Sequence, residues 1–377
     1  MSFQEHHMRI AAILLGTFLI PATLWEMFEA VILPRTIARK VRLSHYVNGF
    51  AWSAAQKIRH LSPSRYQVLL TAFGPFSLLL LIATWAVLLV VGFGLLMWGL
   101  QIPIHTTHGT GSILSFVYLS GVTLFTLGYG DITPASPTGR ALALLEAGTG
   151  IGFLAAVIGY LPTIYQSFSR RETGISLLDA RAGSPPTGTE LIRRYAAGGA
   201  MEQLPDTLAE LERWAADLLE SHLSYPVLAF YRSQHDRESW LAALAATLDA
   251  CALIRGGFAG NPRWEQPLQW QGQLTYAMCR HALIDLCLVL HAEPLNPPDN
   301  RMPDEVLQKI RMHLLSVGIE LETDTDASRR IREIRNAYEP FLFALAGRLD
   351  LEVPPFAVFD TAPDNWQTSA WGHADHF

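Results

Sequence analysis

Two long apolar stretches flank the run Thr123-Leu124-Phe125-Thr126-Leu127-Gly128-Tyr129-Gly130-Asp131, which is short, glycine-bearing and ill suited to a helix. That placement limits what the chain can fold into. A lipid-exposed backbone must satisfy its own N–H and C=O groups, so irregular chain survives at membrane depth only where protein surrounds it or where it lines a water-filled path. The two glycines permit backbone conformations that a Cβ would penalise. Thr126, Leu127, Gly128 and Tyr129 can then present successive carbonyls to one side, with the Thr126 hydroxyl adding a lower ring. Such carbonyls replace the hydration shell of a cation.

Three stretches exceed the roughly 20 residues needed to cross the hydrocarbon, at about Ile10–Leu33, Val68–Leu100 and Arg140–Gln166. The first is too long, and too uncharged at its start, for a cleaved leader. Basic residues set the orientation. The segment 34–67 carries Arg35, Arg39, Lys40, Arg42, Lys57, Arg59 and Arg65, the loop 101–139 carries no Lys or Arg, and Arg170 and Arg171 follow the third stretch. The basic segment and the C-terminal half are therefore expected in the cytoplasm of a cell (inner) membrane protein. The loop with the glycines enters from outside, and the first seven residues lie outside too. The expected organisation is an N-terminal span (1–36), a basic amphipathic linker (37–67) with a helix at the inner leaflet over about Ile37–Leu61, and a hairpin of spans with its re-entrant loop (68–169). A connector (170–200), a helical domain (201–353) and a flexible tail (354–377) follow.

Charge divides along the same line. Residues 1–169 hold 9 Lys/Arg against 5 Asp/Glu, and residues 170–377 hold 19 against 29, giving +4 and −10 for the total of −6. An acidic soluble half does not suit nucleic acid, whose phosphates need a basic footprint. Cys251, Cys279 and Cys287 form no Cys-x-x-Cys pair, which fits a reducing compartment.

Ser112 or Thr110 can cap a short apolar helix over about Ile113–Phe125, whose C-terminal partial negative charge would face a cation below the glycine run. Thr126-Leu127-Gly128-Tyr129-Gly130-Asp131 behind such a helix, between two spans, resembles the pore module of potassium channels over residues 68–168. The resemblance implies an all-α membrane protein, a tetrameric pore-loop channel fold with a helical cytoplasmic domain, in which three further copies complete the ring of carbonyls. It further implies membrane lipids as surroundings and potassium as the permeant ion, with no cofactor. In that family the residue after the threonine is usually Val or Ile. Leu127 stands there instead, which keeps a weakly selective monovalent cation path, with the cytoplasmic domain serving only assembly or docking, as the alternative. Tyr129 is expected to point away from the axis and brace the run. Asp131, at the outer mouth, attracts cations or anchors the run by hydrogen bonds.

The third span carries Gly148, Gly150 and Gly152. The resemblance implies a gating hinge some nineteen residues beyond the aspartate, which is Gly150. Three glycines also weaken a helix by roughly 1 kcal/mol each, or else allow close packing of helices. Pro162 removes a helical hydrogen bond. An inner constriction is expected near Ile158, Leu161 and Ile164. Of the carboxylates in the membrane half, Glu26 and Glu29 share a face and are expected to pair with Arg35 or Arg39. Glu146 is a candidate for gating or simply a satisfied polar group.

The C-terminal half reads as helices at Glu190–Ala197, Leu204–Leu223, Glu238–Arg255, Gln269–Leu290, Asp304–Val317 and Asp326–Leu349. It has no dinucleotide fingerprint, Walker loop or calcium loop, and no paired acid–base or nucleophile set, so catalysis is not expected. His281 with Asp285 is too small a set for a metal. His222, His235, Asp236 and Arg237 mark a possible pocket for an unknown cytoplasmic ligand. Arg329, Arg330, Arg332 and Arg335 read as an ion-paired face, and Trp214, Trp240, Trp264 and Trp270 as packing anchors.

Overall fold

The structure is a computed structural model that describes residues 3–31, 33, 49, 52, 53, 56, 63–106, 111–233, 238–258, 263–297, 300–359 and 364–367, with backbone only at 63–65, 67, 68 and 366. The expected linker helix is described only at 49, 52, 53 and 56, which are helical, and the partners Arg35 and Arg39 lie outside the described residues. The chain divides into two compact units, Met1–Tyr165 and Gln166–Phe377.

The N-terminal unit holds α1 (Phe3–Val31), α2 (Pro63–Gly99), strand β1 (Ile104–Thr106), α3 (Ile113–Leu124), strand β2 (Ile132–Pro134) and most of α4, which begins at Pro137 and ends at Ala182 in the second unit. Helices α1, α2 and α4 are long and apolar enough to cross a membrane. Their apolar windows are only 28%, 39% and 17% buried, as suits helices that face lipid or other copies. α1 packs antiparallel to α2. Arg9 near its start donates to the Trp98 carbonyl at 3.1 Å and stacks over the Trp98 ring, while Met27 near its end joins Leu81 and Trp85. The start of the chain therefore lies at the same end as the loop that follows α2.

That loop is held by a small antiparallel ladder, with His105 opposite Thr133 and Thr106 opposite Ile132. Ser112 caps α3, its hydroxyl accepting from the Ser115 N–H at 3.3 Å. Apolar α3 can sit at membrane depth because α2 covers it, and Phe116 and Leu119 pack with Phe93 and Met97. At its C-terminal end Leu124 joins Leu89, Trp85 and Phe153.

The C-terminal unit is a helical bundle: α5 (Gly188–Ala197), α6 (Leu204–Ser224), α7 (Trp240–Gly257), α8 (Glu265–Leu290), α9 (Asp304–Leu315), α10 (Thr325–Asn336) and α11 (Glu339–Leu349). α7 also has the length and hydropathy of a span, but 94% of it is buried, so it is the core helix of this unit. A buried network fixes α7 to its neighbours. Arg301 pairs with Asp249 and with Glu339 (3.1 Å to the latter), Tyr338 donates to Asp249, and Arg335 pairs with Glu339 at 2.9 Å. The surrounding carboxylates push the Arg301 guanidinium above its ordinary value despite its burial.

Three boundaries differ from the sequence reading. Residues 170–200 are not a connector, because Ile175, Leu178, Ala182, Leu191 and Ile192 all lie in the core. The expected helix over Asp326–Leu349 is two helices, broken at Ala337–Tyr338 where Pro340 opens α11. The tail is packed where it is described. Phe356 is fully buried under Arg301, and Asp364 accepts from the Ser184 N–H and pairs with Arg194 at 2.7 Å.

Candidate functional site

The site is built where α3 ends. Thr126, Gly128 and Gly130 have φ of 55°, 59° and 78°, and Leu127 and Tyr129 between them do not share that sign. Alternation of hand is how successive carbonyls come to face one side, instead of alternating as in a strand. The N–H groups point the other way: that of Leu127 donates to the Val122 carbonyl at 2.9 Å, and that of Gly128 reaches the same oxygen at 3.5 Å. The first turn of the run is thus pinned to α3 through its donors. Thr126 is β-branched and at positive φ, a strained residue of the kind that concentrates at functional sites.

Every residue from Phe125 to Asp131 is exposed in the single chain, and Tyr129 is 67% exposed. The bracing expected for the Tyr129 ring is therefore not supplied from within this chain. Asp131 is braced instead. The Tyr118 hydroxyl of α3 donates to its Oδ2 at 2.9 Å, so the aspartate ties the outer end of the run to α3.

Glu146 on α4 is fully buried and meets the Ser120 hydroxyl of α3, and that hydroxyl also lies 2.8 Å from the Val90 carbonyl of α2. The carboxylate is a structural clasp between three helices behind the run. Glu29 accepts from the Trp25 indole at 2.7 Å.

The three clustered glycines of α4, Gly148, Gly150 and Gly152, are not equivalent. A Cβ on Gly148 or Gly152 would meet nothing within 4 Å, but one on Gly150 would stand 1.9 Å from the Leu124 carbonyl oxygen. α4 therefore crosses the end of α3 at Gly150, two residues before Thr126. The close-packing reading of Gly150 is the one the geometry supports, and α4 is helical on both sides of Pro162. Ile158 and Leu161 are exposed. Ile164 is buried at 2% and does not line an open path, in contrast to the expectation that it shares the constriction.

In the second unit Arg171, read from sequence only as an orientation signal, is buried. It donates to the carbonyls of Leu228 and Tyr231 at 2.8 Å each and pairs with Glu172. The Trp214 indole donates to the Arg171 carbonyl at 3.1 Å, and its ring closes over Gly174. His222 packs on Trp240 and beside Arg171. Burial, reinforced by the Arg171 charge, holds its pKa down at about 3, so it is a neutral packing group. His235, Asp236 and Arg237 lie outside the described residues. The His281–Asp285 pair stands alone at 3.4 Å, and no cluster of three metal-ligating side chains occurs among the described residues. Arg329, Arg330, Arg332 and Arg335 are each ion-paired to carboxylates. Of these four tryptophans, Trp214 and Trp240 are buried and Trp264 is partly so, but Trp270 is 63% exposed and is not a packing anchor among the described residues.

A re-entrant helix and an irregular run between two spans define a pore-loop membrane protein. Residues 76–167 match the family model described as ion channel, and this match over the two spans and the loop between them supports passive conduction of ions across a membrane. The chain is also similar to the uncharacterized membrane protein YdjJ of Bacillus subtilis (strain 168), 22% identical over 271 residues, which are 71% of this chain and 75% of that protein. No solved structure matches it.

Proposed function

We propose that the conducted ion is potassium and that the pore is completed by four copies of the chain. The observation that carries this reading is the alternating backbone at Thr126, Gly128 and Gly130, with its donors turned back to Val122 and its carbonyls left free. A dehydrated potassium ion needs carbonyls on all sides, and one chain supplies only one strand of them. The exposed carbonyl run and the exposed Tyr129 ring are surfaces that neighbouring copies would cover. Reversal potentials of the reconstituted full chain test the ion. With opposed potassium and sodium gradients the potential should follow potassium. A value midway between the two equilibrium potentials would favour the weakly selective alternative.

Opening is proposed to be set by the C-terminal unit through α4. That unit grips the cytoplasmic end of the helix at Arg171, so a change in the unit pulls on the element that carries Ile158 and Leu161. Arg171→Ala removes two charge-assisted hydrogen bonds to carbonyls and the ion pair with Glu172, at a cost of roughly 3 kcal/mol. The expected outcome is a lower melting temperature for the C-terminal unit and a changed open probability, with the reversal potential unmoved. An open probability equal to the parent's would refute control by this route.

A further inference from the structure

The outward face of α8 carries Trp270, Leu274, Ala277, His281, Ile284 and Leu288. Their spacing is 4, 3, 4, 3, 4, the repeat of a helix seam that packs along another helix. Trp270 is 63% exposed and Leu288 70%, and Leu274 is 36% exposed, while the opposite face of α8, with Leu268, Cys279, Leu283 and Leu286, is in the core. A large tryptophan and leucine at either end of an unpartnered seam do not serve the fold of this chain.

We propose that this seam is a two-fold contact with α8 of a second copy, pairing the C-terminal units antiparallel. The sequence of the seam is self-complementary about a point at position 279. Antiparallel pairing sets Trp270 against Leu288 of the second copy, Leu274 against its Ile284, and Ala277 against its His281. Large residues thus meet apolar ones at both ends, and the small alanine makes room for the imidazole near the centre. An isologous contact requires this kind of match. Exposed Gln273 falls opposite Asp285, giving the carboxylate a neutral amide donor, and no like charges meet along the seam. Antiparallel helices also place opposite dipole ends together.

Chemistry disfavours a lipid surface as the occupant. A membrane-bound stripe needs basic flanks. Here the flanking Arg280 is engaged with the Ala337 carbonyl at 2.9 Å, in a half with a formal charge of −10. A seam about 27 Å long gives an interface at or below the small end of specific contacts, about 1,200 Å². Four chains sharing one pore hold their C-terminal units at effective concentrations on the order of millimolar, which makes so small a contact sufficient. To that extent the pairing rests on the four-copy reading above.

The test uses two differently tagged full-length chains, one Ala277→Cys and one His281→Cys, co-expressed and oxidised in detergent. The native cysteines are buried and do not compete. Antiparallel pairing predicts that the mixed-tag dimer exceeds either same-tag dimer at least fivefold. Adding Trp270→Glu and Leu288→Glu, both at exposed positions, to each chain should remove it at least tenfold. Equal or dominant same-tag dimers would show parallel or random contact and overturn the proposal, as would the absence of any dimer or a mixed dimer indifferent to the two glutamates. Particle mass by light scattering reports pore assembly separately, so a tetramer without the cross-link fails the pairing alone.

Discussion

A Gly128→Ala channel is expected to assemble, to melt within about 2 °C of the parent, and to pass no current. Gly128 has φ of 59°, where an L residue costs about 1–2 kcal/mol. A Cβ there would meet nothing within 4 Å in its own chain, so no packing is lost and the fold has no reason to change. The penalty falls on the backbone of the run alone. It is relieved if the peptide rotates to negative φ, and that rotation turns a carbonyl out of line. Under the four-copy reading proposed above, the change is repeated in each copy and removes one level of ligands from a path in which the ion would have shed its water. Barrier heights respond exponentially, so the loss of a few kcal/mol of coordination lowers conductance by more than a hundredfold. Single-channel recording beside a melting curve checks both halves. Parent-like current would remove the run from the ion path, and a collapsed melting temperature would make Gly128 a folding residue.

The parts of this site legible in sequence are those that the backbone itself dictates. Glycine at 128 and 130, the serine cap at 112 and the apolar pore helix are local requirements with local signatures. The brace from Tyr118 to Asp131 and the clasp from Glu146 to Ser120 join residues 13 and 26 apart in the chain. No period or motif announces them. Composition misled at 170–200, where glycine and proline suggested a connector around the short helix at Glu190–Ala197. Gly174 is there because Trp214 lies on it, and only the packed structure separates a glycine that turns from one that admits a neighbour. Pro340 is a readable stop inside the expected helix over 326–349, and it stands in the first turn of α11. The burial of Arg171 had no local sign, since in sequence it is one of two arginines after a span. Trp270 matched the composition of a packing anchor, but the face it occupies is set by the rest of α8.

Gly150→Ala should fail in the opposite way to Gly128→Ala, by damage to the fold first and to the ion path as a consequence. The new Cβ would lie 1.9 Å from the Leu124 oxygen and 2.8 Å from its carbonyl carbon, where ordinary contact begins at 3.4 Å. The obstacle is backbone, so no rotamer relieves it. α4 and the end of α3 must part by about 1.5 Å (3.4 less 1.9). Overpacking of this kind typically costs 1–3 kcal/mol or more. Leu124 is itself packed with Phe153 and Leu89, and its displacement carries along Thr126, two residues on, which under the four-copy reading leaves register with the other copies. The melting temperature and the selectivity should therefore fall together. Gly148→Ala and Gly152→Ala meet no such obstacle within the chain and gain about 1 kcal/mol of helix propensity each. Their double variant should melt at or above the parent's temperature and keep its reversal potential, which separates helix stiffening from steric displacement. A Gly150→Ala channel that kept the parent's melting temperature and selectivity but changed its open probability would restore the hinge. Loss of selectivity only in the Gly148/Gly152 double variant would put the critical contact between copies instead of at the Leu124 carbonyl.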